Sequence, residues 1–150
     1  MENELLDADD VFVQMLFESK EDYFEFITDH LEKENKIKDG YKKSILEREV
    51  SFPTGLATEN MGVAIPHTGY EQANTNQIVI TTLKKPVKFN RMDDPKEVVE
   101  VSLILLILFD KPEKQPEILK QIMATIQNQE FLEKLLKQNN VNDVMKLFTK

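Results

Sequence analysis

No cysteine occurs in the 150-residue chain, and histidine occurs only twice, at positions 30 and 67. The first absence excludes disulfides, thiolate zinc sites, iron–sulfur clusters and a cysteine nucleophile within the chain. The second excludes a three-histidine metal site. Basic side chains are in deficit too: 19 Lys and Arg stand against 27 Asp and Glu, a formal charge of −8. That balance argues against duplex nucleic acid or an anionic membrane surface as the main partner, because both demand a basic footprint. It permits a partner with a basic face. No run approaches the roughly 18–20 unbroken apolar residues of a membrane span. The start, Met1-Glu2-Asn3-Glu4, lacks the positive charge of a secretion signal. A cytoplasmic protein is expected, with no insertion into the membrane.

Only four glycines are present, and repeats, low-complexity tracts and Gly/Ser linkers are absent, so one domain over 1–150 is the simplest organisation. A chain of this length buries about two-thirds of its unfolded surface and needs no staple. Residues 11–17 are β-branched and aromatic, which suits a strand or a buried extended segment. Ser19 supplies a cap, and Tyr23, Phe24, Ile27 and Leu31 follow at helical spacing. A second helix is expected over about 39–49, with Tyr41, Ser44, Ile45 and Arg48 on one side. Residues 63–65 and 77–83 read as strands. Pro86 cannot donate to a central ladder, so 86–89 is expected as a short edge strand. The nearly continuous apolar run 101–109 suits a central strand covered on both faces. Three apolar stripes follow, the first through Leu119, Ile122, Met123 and Ile126, and predict helices. The expected fold is α/β: a mixed central sheet of about five strands flanked by helices on both faces.

Chemistry concentrates at Gly62-Val63-Ala64-Ile65-Pro66-His67-Thr68-Gly69, where an apolar strand runs into a proline and a glycine-containing loop. The carboxyl end of such a strand is where open α/β sheets place ligands. Pro66 fixes its own backbone angle and pushes Ile65 toward an extended conformation, so His67 is presented from a constrained backbone. It could serve as nucleophile, general base or metal ligand, or do no more than hydrogen-bond. The metal reading lacks a second histidine nearby and any carboxylate before Glu71. Hydrolysis of the Ser/His/Asp type is unsupported, since no serine sits in a Gly-x-Ser-x-Gly elbow. Arg48 is either an exposed helix-end residue paired with Glu47 and Glu49 or an anion fork for phosphate oxygens. His30 is expected to be structural.

Taken together, Arg48-Glu49, Pro53-Thr54-Gly55 and Gly62-x-Ala64-Ile65-Pro66-His67 resemble the IIA domain of the phosphoenolpyruvate-dependent sugar phosphotransferase system, in its mannitol/fructose class. The likeness continues through Pro86-Val87-x-Phe89, the apolar run 101–109 and the helix after Pro112. The pattern Arg-Glu-x-x-Phe-Pro-Thr-Gly over 48–55 resembles the galactitol branch. So does Gln115, which stands where mannitol and fructose members carry a second histidine.

The resemblance implies that His67 accepts a phosphoryl group from the phosphohistidine of HPr and passes it to a cysteine of a IIB partner. IIC at the membrane would be involved only indirectly, in uptake of galactitol or a related polyol. Arg48, Gln115, Thr54 and Thr68 are the expected donors to the phosphoryl oxygens. The carrier steps require no metal or cofactor. A regulatory phosphoprotein, controlling a transcription factor or transporter through His67, is the alternative. The acidic excess suggests a rim around the His67 cleft, with Asp93, Asp94, Glu113 and Glu117 as candidates.

Overall fold

The computed structural model describes residues 3–148. Met1 and Glu2, used in reading the amino terminus, and positions 149 and 150 of the expected domain lie outside the described residues. The secondary structure runs β1 (Val11–Met15), α1 (Lys20–Lys33), α2 (Tyr41–Ser51), β2 (Gly55–Ala57), β3 (Gly62–Ala64), β4 (Gln77–Asn90), β5 (Val98–Leu108), α3 (Lys114–Ile126), α4 (Gln129–Leu136) and α5 (Val141–Phe148). The five strands form one sheet in the order β1-β4-β5-β3-β2. β1 is parallel to β4 and β3 to β5, whereas β4/β5 and β2/β3 are antiparallel. The expected mixed α/β architecture is therefore observed.

β5 lies at the centre because its side chains are apolar on both faces, and the twofold alternation of a strand divides them between two cores. Leu103, Leu105 and Ile107 pack with Ile118, Ile122, Leu132, Leu135 and Val144 of the carboxyl-terminal helices. Ile104, Leu106 and Leu108 pack with Tyr23, Phe24, Ile27, Tyr41 and Ile45 of α1 and α2. Each fully buried Leu or Ile contributes about 1.5–3 kcal/mol relative to an exposed one. α1 starts where Ser19 accepts a hydrogen bond from the Asp22 N–H, as its sequence signature requires.

Two expectations are corrected. Residues 86–89 are not a separate strand but the second half of β4, and among the named strands that half pairs with β5 alone, so the expected edge position is kept. Pro86 is tolerated because the β4/β5 register breaks between Thr82 and Val87, and β1 pairs with β4 only as far as Leu83. The missing N–H thus falls where no ladder needs it. The strand expected over 11–17 ends at Met15, after Gln14 adopts a positive φ of 51° and the β1/β4 register shifts.

His30 is structural, as expected. Its ring stands edge-on to Phe12 and stacks on Phe26, and its Nε2 lies 2.8 Å from Oδ1 of the fully buried Asp10. Lys36 and Gln77 also donate to Asp10, so the network ties the start of β1 to α1 and β4. Burial would raise the Asp10 pKa, but hydrogen bonds from Glu34, Lys36, Gln77 and His30 outweigh it and hold the group at about 2. Asp10, His30 and Glu34 offer one possible metal-ligand atom each within 4.8 Å, yet the Lys36 ammonium already supplies the positive charge there.

Candidate active site

The site is built on the end of β3. Past Ala64 the chain stays anchored on both sides: Ile65 N–H donates to Thr54 C=O at 3.3 Å, and Ile107 N–H of β5 donates to Pro66 C=O at 2.9 Å. His67 then turns back on this frame, with Nδ1 2.9 Å from the Ile65 carbonyl oxygen. A carbonyl can only accept, so Nδ1 carries the proton and Nε2 the lone pair. Burial holds the His67 pKa below its ordinary 6.5; the bond to Ile65 opposes that shift and the Arg48 charge adds to it. The imidazole is therefore neutral near pH 7, with one defined nucleophilic nitrogen.

Arg48, Thr68, Gly69, Tyr70, Phe109, Pro112 and Gln115 line a cleft of about 150 Å³ together with His67. Three elements converge there: the last turn of α2 brings Arg48, the loop after β3 brings residues 67–70, and the first turn of α3 brings Gln115. Arg48 is exposed, and no carboxylate neutralises it among the described residues; its contact is with the Phe52 ring, 4.5 Å from Cζ to the centroid. The expectation that it pairs with Glu47 or Glu49 thus gives way to a guanidinium available for an anion. Nothing in the lining besides His67 is a customary metal ligand, so the donor set is that of an oxyanion site.

The volume constrains the ligand further. Small-molecule pockets usually run to about 300–1,000 Å³, and this cleft is roughly half the lower bound. It suits a phosphoryl-sized group.

Of the five expected site residues, Arg48, His67, Thr68 and Gln115 come together. Thr54 does not, and its expected contact with phosphate is corrected. It is 2% exposed, and its hydroxyl donates to Glu49 Oε1 at 2.7 Å while its N–H donates to Glu49 Oε2 at 2.8 Å. Adjacent helical residues point about 100° apart, so Arg48 faces the cleft mouth while Glu49 turns inward and clamps the turn after α2. Burial raises the Glu49 pKa, opposed by the Thr54 hydrogen bonds. Glu49→Ala, which orphans a buried N–H and hydroxyl, should cost about 2–4 kcal/mol, measured by urea unfolding.

Thr68 remains in the lining, with its hydroxyl hydrogen-bonded to Ser44 Oγ of α2. Ser44 and Arg48 share a helix face at i, i+4, a spacing visible in sequence, although nothing there identified Ser44 as the partner of Thr68. Two of the four residues expected at an acidic rim lie away from the cleft. Asp93 and Asp94 lie in the β4–β5 connection, engaged with Arg91 and the Lys96 N–H, at the end of β5 away from Phe109. Glu117 faces a neighbouring cavity with Lys114. Glu113 is exposed beside Pro112 but is not in the lining.

Residues 4–150 match the family described as "Phosphoenolpyruvate-dependent sugar phosphotransferase system, EIIA 2", and the chain belongs to that family. The galactitol-specific EIIA component of Escherichia coli K12 is 28% identical over 100 residues, which are 67% of this chain and 66% of that protein. The match thus spans just under two-thirds of the relative's length. Among solved structures, the nitrogen regulatory protein IIA-Ntr of Neisseria meningitidis superposes with a TM-score of 0.79 at 24% identity, covering 96% of each chain. Enzyme IIA-Mtl of E. coli, solved in complex with phosphorylated enzyme IIB-Mtl, gives 0.77 at 20% identity, again with 96% of each chain covered. Likenesses at these identities establish the shared fold. No described helix is long and apolar enough to cross a membrane.

Proposed function

We propose that the chain is a phosphocarrier: His67 accepts a phosphoryl group from phospho-HPr and hands it to a cysteine of a IIB partner, in uptake of galactitol or a related polyol. The observation that carries this reading is the His67 ring itself, locked through Nδ1 onto Ile65 inside a phosphoryl-sized cleft that also holds an arginine with no ion-pair partner among the described residues. In the first step the Nε2 lone pair forms an N–P bond as the donor's N–P bond breaks, and the donor imidazole keeps the electron pair. Nδ1 retains its proton throughout. In the second step the partner's thiolate attacks phosphorus, and the N–P electron pair returns to Nε2. Phosphoryl transfer passes through a loose transition state that needs positioning and charge stabilisation. Arg48, the Gln115 amide and the Thr68 hydroxyl are the groups that would supply them. The galactitol assignment draws on the 28% identity to that EIIA component.

The test is incubation with phospho-HPr, with a known IIA domain as positive control. A gain of one acid-labile phosphoryl group, then chased by a galactitol-type IIB protein, is expected. No gain while the control is labelled would end the reading. Labelling without a chase by any sugar-transport IIB would favour the regulatory alternative.

The pH dependence follows from the lowered His67 pKa. The native ring binds fewer protons than the unfolded one, so its contribution to stability is complete above the unfolded value of 6.5. That contribution is lost as pH falls through the folded value. Acceptance of the phosphoryl group should therefore stay level below pH 6.5 and then fall along one limb, since Gln115 cannot titrate. Rates measured from pH 8 to 5 that break at two values traceable to this chain would contradict this.

A further inference from the structure

We propose that Phe52 is a positioning residue, whose ring holds the Arg48 guanidinium at the mouth of the His67 cleft. The proposal rests on the phosphocarrier reading for its consequence, not for its geometry. Phe52 caps the carboxyl end of α2, and its N–H donates to Arg48 C=O at 2.7 Å. Phe52 lies just past the helix, with a non-helical backbone (φ −138°, ψ 78°) that turns its side chain out of the helical register. The ring centroid lies 4.5 Å from Arg48 Cζ, within the range of a cation–π contact.

Phe52 is otherwise an anomaly. A phenylalanine 61% exposed gains little from burial, and it belongs to neither hydrophobic core. Its backbone is nonetheless fixed on both sides, by the Arg48 carbonyl before it and by buried Pro53 and the Glu49-bound Thr54 after it. A long, exposed arginine with no carboxylate partner among the described residues would otherwise sample many rotamers. The rigid ring narrows that sampling.

The contact lies where two hollows adjoin. One is the His67 cleft; the other is an open groove lined by Ser44, Glu47, Ser51 and Phe52, and both include Arg48 and Thr68. Arg48 thus stands on the boundary between them, and the ring decides from which side it is braced. The acidic Glu47 lies in the outer groove, where a released guanidinium would find a competing anion. Holding Arg48 off Glu47 keeps its charge free for the oxyanion.

Nuclear magnetic resonance titration tests this in the free, unphosphorylated protein, where only two imidazoles have to be resolved. If Phe52 keeps the arginine near His67, Phe52→Leu raises the His67 pKa toward the value in Arg48→Ala. Phe52→Tyr, which retains the π face, leaves it at the wild-type value, and Phe52→Leu adds nothing in an Arg48→Ala background. Transfer from phospho-HPr should slow about two- to fivefold in Phe52→Leu, the equivalent of one exposed cation–π contact.

An unchanged His67 pKa in Phe52→Leu overturns the proposal. So does slower transfer with no change in pKa, which would make the ring a partner contact, or a Phe52→Leu effect that persists without Arg48. Because the titration needs no phosphoryl donor, its outcome is independent of whether the chain is a phosphocarrier.

Discussion

Gly62→Ala should destabilise the domain by about 3 kcal/mol, at the upper end of ordinary overpacking, and lower its melting temperature by about 6–12 °C for a chain of this size. The reason is not backbone conformation, since no glycine here has a positive φ. A methyl group at Gly62 would lie 2.1 Å from the Glu100 carbonyl oxygen and 2.8 Å from its carbon. Those are backbone atoms of the central strand and cannot swing aside. Gly62 sits at the β3/β5 register shift, where the two chains approach closely enough to exclude a side chain.

The damage should reach the site, because β3 carries His67 and its pairing with β5 fixes the ring's position. Gly69→Ala is the matched control. There the added methyl would meet only the terminal oxygen of the exposed Glu71 side chain, at 2.5 Å, which rotates away at a cost below about 0.5 kcal/mol. Thermal unfolding of the two variants side by side separates a glycine required by close approach from one that is not. Equal losses would contradict the close-approach role of Gly62.

Arg48→Ala should slow phosphoryl transfer more than tenfold, about 1.4 kcal/mol of barrier or more, while leaving the fold intact. The side chain is exposed and forms no ion pair among the described residues, so unfolding should lose no more than the exposed contact with Phe52, about 0.5–1 kcal/mol. Among the described residues its charge is the one fixed cation in the cleft lining, and a cation aimed at developing phosphoryl charge acts where preorganisation matters most. Arg48→Lys should recover only part of the rate, since it restores the charge but not the two-pronged fork. Stopped-flow or quench measurements with phospho-HPr give the rates. A variant that transfers as fast as wild type would remove Arg48 from the mechanism.

Much of this architecture was legible in the residues, for reasons that also explain the exceptions. The run 101–109 had to be central because a strand apolar at both odd and even positions has no face to offer water, and helical stripes existed to cover both faces. His67 could be singled out because Pro66 and the strand before it restrict the backbone to a narrow presentation. Pro86 marks the edge half of β4 and not a strand boundary, because a proline reports only a missing N–H and the register break beside it leaves the strand continuous.

Thr54 was misassigned for a different reason. A hydroxyl near a phosphate motif looks available until the direction of Glu49 is known, and a sequence does not say which of two adjacent charged residues turns inward. Asp93 and Asp94 failed as a rim because the length of β5 puts them at its opposite end from Phe109. That distance depends on strand direction, which composition does not contain. The role of Phe52 was equally hidden, since an aromatic at a helix end usually reads as core.

If the chain is a phosphocarrier, a phosphoryl group enters it at Nε2 of His67. The most direct measurement is proton–nitrogen correlation on the ring of the protein phosphorylated by phospho-HPr, alongside the same reaction with His67→Ala. Phosphorus coupled to Nε2 of His67 is expected, with Nδ1 still protonated and hydrogen-bonded, His30 unmodified, and no labelling of the variant. Phosphorus on Nδ1, on His30, or surviving in His67→Ala would contradict the claim.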